Sequence, residues 1–134
     1  MFGFLKKLIE VSDLTEQEQK WNKLWDLWAE GEIPSPYSEL MTYQSEINNG
    51  GHSQYFTNSE SAGDITGELK ALFNVLPGEF KENLNIAYKA YIRLEENEDE
   101  EGGKVLERCD DFFFENEEEI NSILERYSTE KILL

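Results

Sequence analysis

The fold class this sequence predicts is all-α, a single-domain bundle of six or seven short helices. Apolar residues recur three, four and seven apart along most of the 134 residues, the spacing that lines one side of a helix. Gly, Pro and Asn clusters break that spacing at intervals suited to short helices. No alternating apolar–polar run, and no Asn-Gly turn between β-branched stretches, marks a strand or hairpin. With 39% hydrophobic and 13% aromatic residues, the chain has the material for one core.

Residues 1–12 form an N-terminal segment with Phe2, Leu5, Leu8 and Ile9 on one helical side and Lys6 and Lys7 beside them. Docking onto the domain, or fraying, fits it better than a membrane anchor. The domain itself is expected over 13–128. From Asp13 to about Glu30, Leu14, Trp21, Leu24, Trp25 and Trp28 make an apolar stripe that predicts core packing, and Gly31 stops the helix. Ser35 as N-cap and Pro36 at the first helical position open a second helix through Tyr37, Leu40, Met41, Gln44 and Ile47. Asn49-Gly50-Gly51 offers a left-handed C-cap, and a short helix can follow over His52–Asn58.

Asp64 can cap a helix with Leu69, Leu72, Phe73 and Leu76, which Pro77-Gly78 interrupts. Phe80, Leu84, Ala87, Tyr88 and Tyr91 carry the next helix to about Leu94, after which Glu95–Gly103 reads as an acidic mobile loop. Val105, Leu106, Cys109 and Phe113 mark a further helix. Asn116-Glu117-Glu118-Glu119 then reads as the start of a last one, carrying Ile120, Ile123, Leu124 and Tyr127. Residues 129–134 are a tail ending in Ile132-Leu133-Leu134. Successive residues of a helix point about 100° apart. Phe112-Phe113-Phe114 therefore needs either cover on two sides or a second subunit, and a homodimer is one expectation.

Charge is the strongest functional signal. The chain carries −17 overall, and the stretch from Glu95 to Glu119 holds thirteen carboxylates against two cations, Lys104 and Arg108, leaving −11. The thirteen are Glu95, Glu96, Glu98, Asp99, Glu100, Glu101, Glu107, Asp110, Asp111, Glu115, Glu117, Glu118 and Glu119. Such a face attracts a basic protein, for instance a DNA-binding one, and repels nucleic acid and anionic membrane. A compact domain of this size has a diameter of roughly 36 Å, and duplex DNA of that length carries about 21 charges, the same order as this chain.

Catalytic and metal signatures are sparse. One histidine and one cysteine cannot assemble a His/Cys zinc site, and neither a P-loop nor a dinucleotide fingerprint occurs. Asn97, Asp99, Glu101 and Gly102 miss the spacing of an EF-hand loop. Cys109 and His52 could pair as nucleophile and base, but Cys109 stands in an apolar row, where a small buried hydrophobe is the usual role. No enzymatic activity, metal or cofactor is expected. The lone cysteine, the absence of a leader and the lack of an apolar run of about 18–20 residues make a reducing cytoplasm the expected compartment.

The most distinctive string runs Asn48-Asn49-Gly50-Gly51-His52-Ser53-Gln54-Tyr55-Phe56-Thr57-Asn58. Its glycines permit positive φ and close approach of backbones, while Gln54 and the asparagines can bond the freed amides and carbonyls. Asn48, Asn49, Gly50, Gly51, Gln54, Tyr55, Phe56 and Asn58 match the signature of the bacterial DNA-mimic protein family, which this chain resembles over roughly residues 20–128. His52 departs from it, standing where an apolar residue is usual. The resemblance implies a helical, often dimeric cytoplasmic protein. In the family's namesake, the acidic surface copies DNA phosphates and occupies the DNA site of a transcription factor. The expected function is thus an acidic interaction module that binds a basic protein and regulates it. The alternative is a small-ligand or enzymatic pocket at the Asn-Gly-Gly turn around Asn49, His52, Gln54 and Tyr55.

Overall fold

A computed structural model describes residues 14–97 and 100–134. The expected N-terminal segment 1–12, and Glu98 and Asp99 of the acidic stretch, lie outside the described residues. Among the described residues there are five helices and no strand: α1 (Glu16–Ala29), α2 (Tyr37–Ser61), α3 (Ile65–Phe73), α4 (Gly78–Asn97) and α5 (Glu100–Lys131). The all-helical class is the one the sequence predicts. The helices gather into two compact units, one of residues up to Ile33 with Asn121–Leu134, the other Pro34–Ile120.

In the first unit, α1 opens with a capping box. The Glu18 amide donates to Thr15 Oγ1 at 3.1 Å, and the Thr15 amide donates to Glu18 Oε1 at 3.3 Å. Thr-x-x-Glu is the sequence form of that motif. Leu24 is the one fully buried residue of α1. Trp21, Trp25 and Trp28 do not form the core their stripe predicts. They stay partly exposed and stack edge-on, with centroids 6.1 and 5.4 Å apart. Ile33, Leu124 and Ile132 are the other buried apolar side chains among the described residues of this unit. Lys20 Nζ donates to the Thr129 carbonyl at 3.2 Å and Lys23 Nζ to the Leu133 carbonyl, tying α1 to the chain end.

The second unit is built on α2. Tyr37 opens this helix with Pro36 at the cap position, and Ser35 Oγ donates to Glu39 Oε2 at 2.7 Å instead of capping. Gly51, whose φ of 78° and ψ of −175° are not helical, kinks α2 where the stop was expected and divides it into two helical stretches. This is not the left-handed C-cap predicted but a more extended, glycine-specific conformation. Beyond the bend the chain stays helical to Ser61, with Tyr55 and Phe56 fully buried. Tyr43, Tyr55, Phe56, Phe80 and Phe113 make an aromatic core, with Tyr43 edge-on to both Tyr55 and Phe113 at 5.1 and 5.4 Å.

The expected loop over Glu95–Gly103 is mostly helix. Glu95 and Glu96 belong to α4, and Glu100–Gly103 open α5. A Cβ at Gly102 would stand 2.9 Å from the Ala90 carbonyl oxygen and 3.3 Å from Leu94 Cβ. This glycine therefore serves close approach of α4 and α5 rather than a break. The two helices expected over Val105–Phe113 and Ile120–Tyr127 are one 32-residue helix. Leu106, Cys109, Phe113, Ile120 and Leu124 keep one apolar stripe running through it. Asn116 does not cap; its Nδ2 donates to the Phe112 carbonyl one turn back, at 2.9 Å.

Candidate functional site

At 100° and 1.5 Å per residue, Glu100, Glu107, Asp111, Glu115 and Glu118 of α5 fall within an arc of about 80° over about 27 Å of helix. All five are exposed. Glu101 and Glu119 flank that row, also exposed, and Glu95 and Glu96 are exposed at the end of α4. Lys104 shares the arc, with its Nζ 4.0 Å from Glu101 Oε1. The row is carried on helix rather than on a swaying loop, so its spacing is fixed.

Of the eleven of these carboxylates that lie among the described residues, two point elsewhere. Asp110 and Glu117 are seven residues apart, two turns of helix, and both border the apolar stripe. Asp110 Oδ1 accepts from the His52 backbone amide at 2.8 Å and lies 2.6 Å from His52 Nδ1. Glu117 Oε2 accepts from Gln44 Nε2 at 2.9 Å and Asn48 Nδ2 at 2.7 Å. Both carboxylates hold α2 against α5.

The Asn-Gly-Gly string supplies the other half of that junction. Gln54 Nε2 and Asn58 Nδ2 each donate to Glu46 Oε2 at 2.8 Å, bracing the bend from both of its sides. At Gly50 a Cβ would stand 2.0 Å from Gln54 Oε1, and at Gly51 2.4 Å from Asp110 Oδ2. The glycines make room for a side-chain amide and a carboxylate. Asn48 and Gly51 thereby serve the junction with α5, Gly50, Gln54 and Asn58 brace the bend within α2, and Tyr55 and Phe56 serve the core; Asn49 is exposed.

His52 is completely buried, with Nε2 2.6 Å from the Tyr43 hydroxyl. Burial pushes the ionisation of Tyr43 well above its ordinary range, with the neighbouring Tyr55, Cys109 and Asp110 adding to it. The phenol therefore keeps its proton; a carboxylate can only accept, so in the neutral tautomer that donates Nδ1–H to Asp110 the other ring nitrogen, Nε2, accepts from the Tyr43 hydroxyl. An aspartate–histidine–hydroxyl chain has the connectivity of a nucleophile and its base. Here Tyr43 and His52 have no exposed surface, and Tyr55, beside them, has none either. Sequence reasoning missed this chain, although His52 standing at an apolar position was its visible signal.

Burial, reinforced by Asp110, raises Cys109 from its usual 9.0 to about 11. The neutral thiol's contribution to stability is complete below the unfolded pKa and is lost as pH rises through the folded one. We predict that native Cys109 is alkylated by iodoacetamide at neutral pH about a hundredfold more slowly than the urea-unfolded chain. Equal rates would show that the helix does not shield it.

Among the described residues, no three His, Cys, Asp or Glu side chains are grouped to hold a metal ion. No helix among them is long and apolar enough to cross a membrane. Residues 37–131, from the first residue of α2 to the last of α5, match the family model described as DMP19-like protein. No curated protein and no solved structure matches the chain.

Proposed function

The chain belongs to the DMP19-like protein family, and from that premise we propose that it is a cytoplasmic, non-enzymatic interaction protein whose acidic helix occupies the DNA-binding surface of a basic protein. What supports the reading is the exposed row of Glu100, Glu107, Asp111, Glu115 and Glu118 along one side of α5. One DNA strand carries roughly eight phosphates over the same 27 Å or so, against five carboxylates here and seven with Glu101 and Glu119. Phe114, 47% exposed beside the row, adds an apolar anchor that DNA lacks. Nucleic acid, carrying the same sign of charge, is repelled, and regulation follows from denying the partner its DNA.

The test is capture of proteins from extract at low salt, followed by competition with duplex DNA. A basic DNA-binding protein should be retained, released by DNA, and lose affinity steeply as salt rises. The combined substitutions Glu107→Lys, Asp111→Lys and Glu115→Lys should abolish retention. Asp110 is left intact, because replacing it would disturb the junction with α2. Retention by the reversed variant, or no basic protein at low salt, would defeat the proposal.

A further inference from the structure

The first unit holds a cavity of about 310 Å³ between the start of α1 and the C-terminal part of α5, large enough for a small ligand. We infer that it binds a small organic cation, an amine or guanidinium group with N–H donors. Its wall carries one carboxylate from each helix, Glu18 and Glu125, and the indole of Trp21. No basic side chain is among the described residues that line it. Carboxylates accept charge-assisted N–H bonds, and an indole face attracts a cation through its quadrupole.

The remaining polar groups fit the same chemistry. Gln17 and Asn22 contribute amide carbonyls that can accept from the ligand's outer N–H groups. Ser128 is 1% exposed, and its Oγ has no hydrogen-bond partner among the described residues. A buried hydroxyl without a partner is uncommon in a folded protein. Ser128 lines the cavity, so an N–H donor bound there would supply the partner this oxygen lacks. Glu18 retains acceptor capacity, since Thr15 engages its Oε1 and a carboxylate has about four acceptor sites. A neighbouring cavity of about 370 Å³ shares Gln17 and Glu125, but Arg126 in its wall disfavours a cation there.

The cation can be a free metabolite-sized solute or the side chain of an arginine or lysine on another protein. Ethylguanidinium, its neutral isostere ethylurea and a blocked Gly-Arg-Gly tripeptide separate these sources. Each is titrated into the full chain at constant ionic strength by calorimetry and tryptophan fluorescence. Ethylguanidinium should bind saturably, one per chain, and ethylurea should not. Glu125→Gln should weaken binding about tenfold, because one of the two charges facing the ligand is lost. Glu119→Gln, on the proposed partner face, should leave it unchanged. Tighter binding of the tripeptide identifies a protein side chain as the occupant; tighter binding of the free cation identifies a small solute. Non-saturable binding, equal binding of ethylurea, or equal losses in Glu125→Gln and Glu119→Gln would overturn the inference. None of these outcomes depends on the α5 carboxylate row engaging a partner.

Discussion

Gly51→Ala is expected to cost about 4 kcal/mol of unfolding free energy, roughly half from backbone strain and half from hydrogen bonds to a carboxylate that can no longer form. Gly51 sits at φ 78° and ψ −175°, outside the regions a Cβ permits. The added methyl would also stand 2.4 Å from Asp110 Oδ2 and 3.0 Å from Asp110 Cγ. Either the bend in α2 must straighten or Asp110 must leave His52. Gly63 provides the control, since its φ is 79° and nothing lies within 4 Å of its would-be Cβ. Gly63→Ala should therefore pay strain alone, about 1–2 kcal/mol. All three tryptophans lie in α1, so urea unfolding should be followed by far-UV circular dichroism rather than by their fluorescence. Equal costs for the two alanine variants would refute the steric role of Asp110.

Asp110→Ala is expected to cost about 3 kcal/mol, since it strips the buried His52 of two partners at once. Asp110 accepts from both the backbone amide and the ring of His52. The carboxylate is 25% exposed, so its own desolvation is partial, whereas the imidazole it leaves behind is wholly enclosed. His52→Leu should cost less overall, because the backbone amide of residue 52 keeps Asp110. It leaves one buried phenol without a partner, that of Tyr43. Adding Tyr43→Phe to His52→Leu should then restore about 1 kcal/mol, because removing both members of a buried pair costs less than removing one. If the second substitution destabilises further, the Tyr43–His52 bond is not what the leucine variant lost.

Both experiments concern the junction of α2 and α5 in the Pro34–Ile120 unit, where local sequence carries the least information about the contacts made. The helical class, the bend at the glycines and the break at Pro77-Gly78 were legible from periodicity and breaker residues. Gly102-Gly103 misled, because a glycine that admits a neighbouring helix and one that ends a helix look alike in a string. Asn116 misled in the same way: followed by glutamates it reads as a cap, yet it bonds one turn back inside a continuous helix. Counting turns along α5 would have flagged Asp110 and Glu117, since both adjoin the apolar stripe through Leu106, Cys109 and Phe113. That periodicity shows they share a side but not what they meet there.

Local sequence by itself determined the all-helical class, the density of negative charge over Glu95–Glu119 and a backbone break at Gly50-Gly51. Each of these follows from neighbours in the chain, through turn-by-turn geometry and backbone sterics. Tertiary structure alone decided which carboxylates stay in water and which turn inward. Whether Asp110 faces solvent or His52, 58 residues away, depends on where α2 lies against α5. That placement arises from aromatic packing and hydrogen bonds spread across the unit, and no short stretch of sequence contains it.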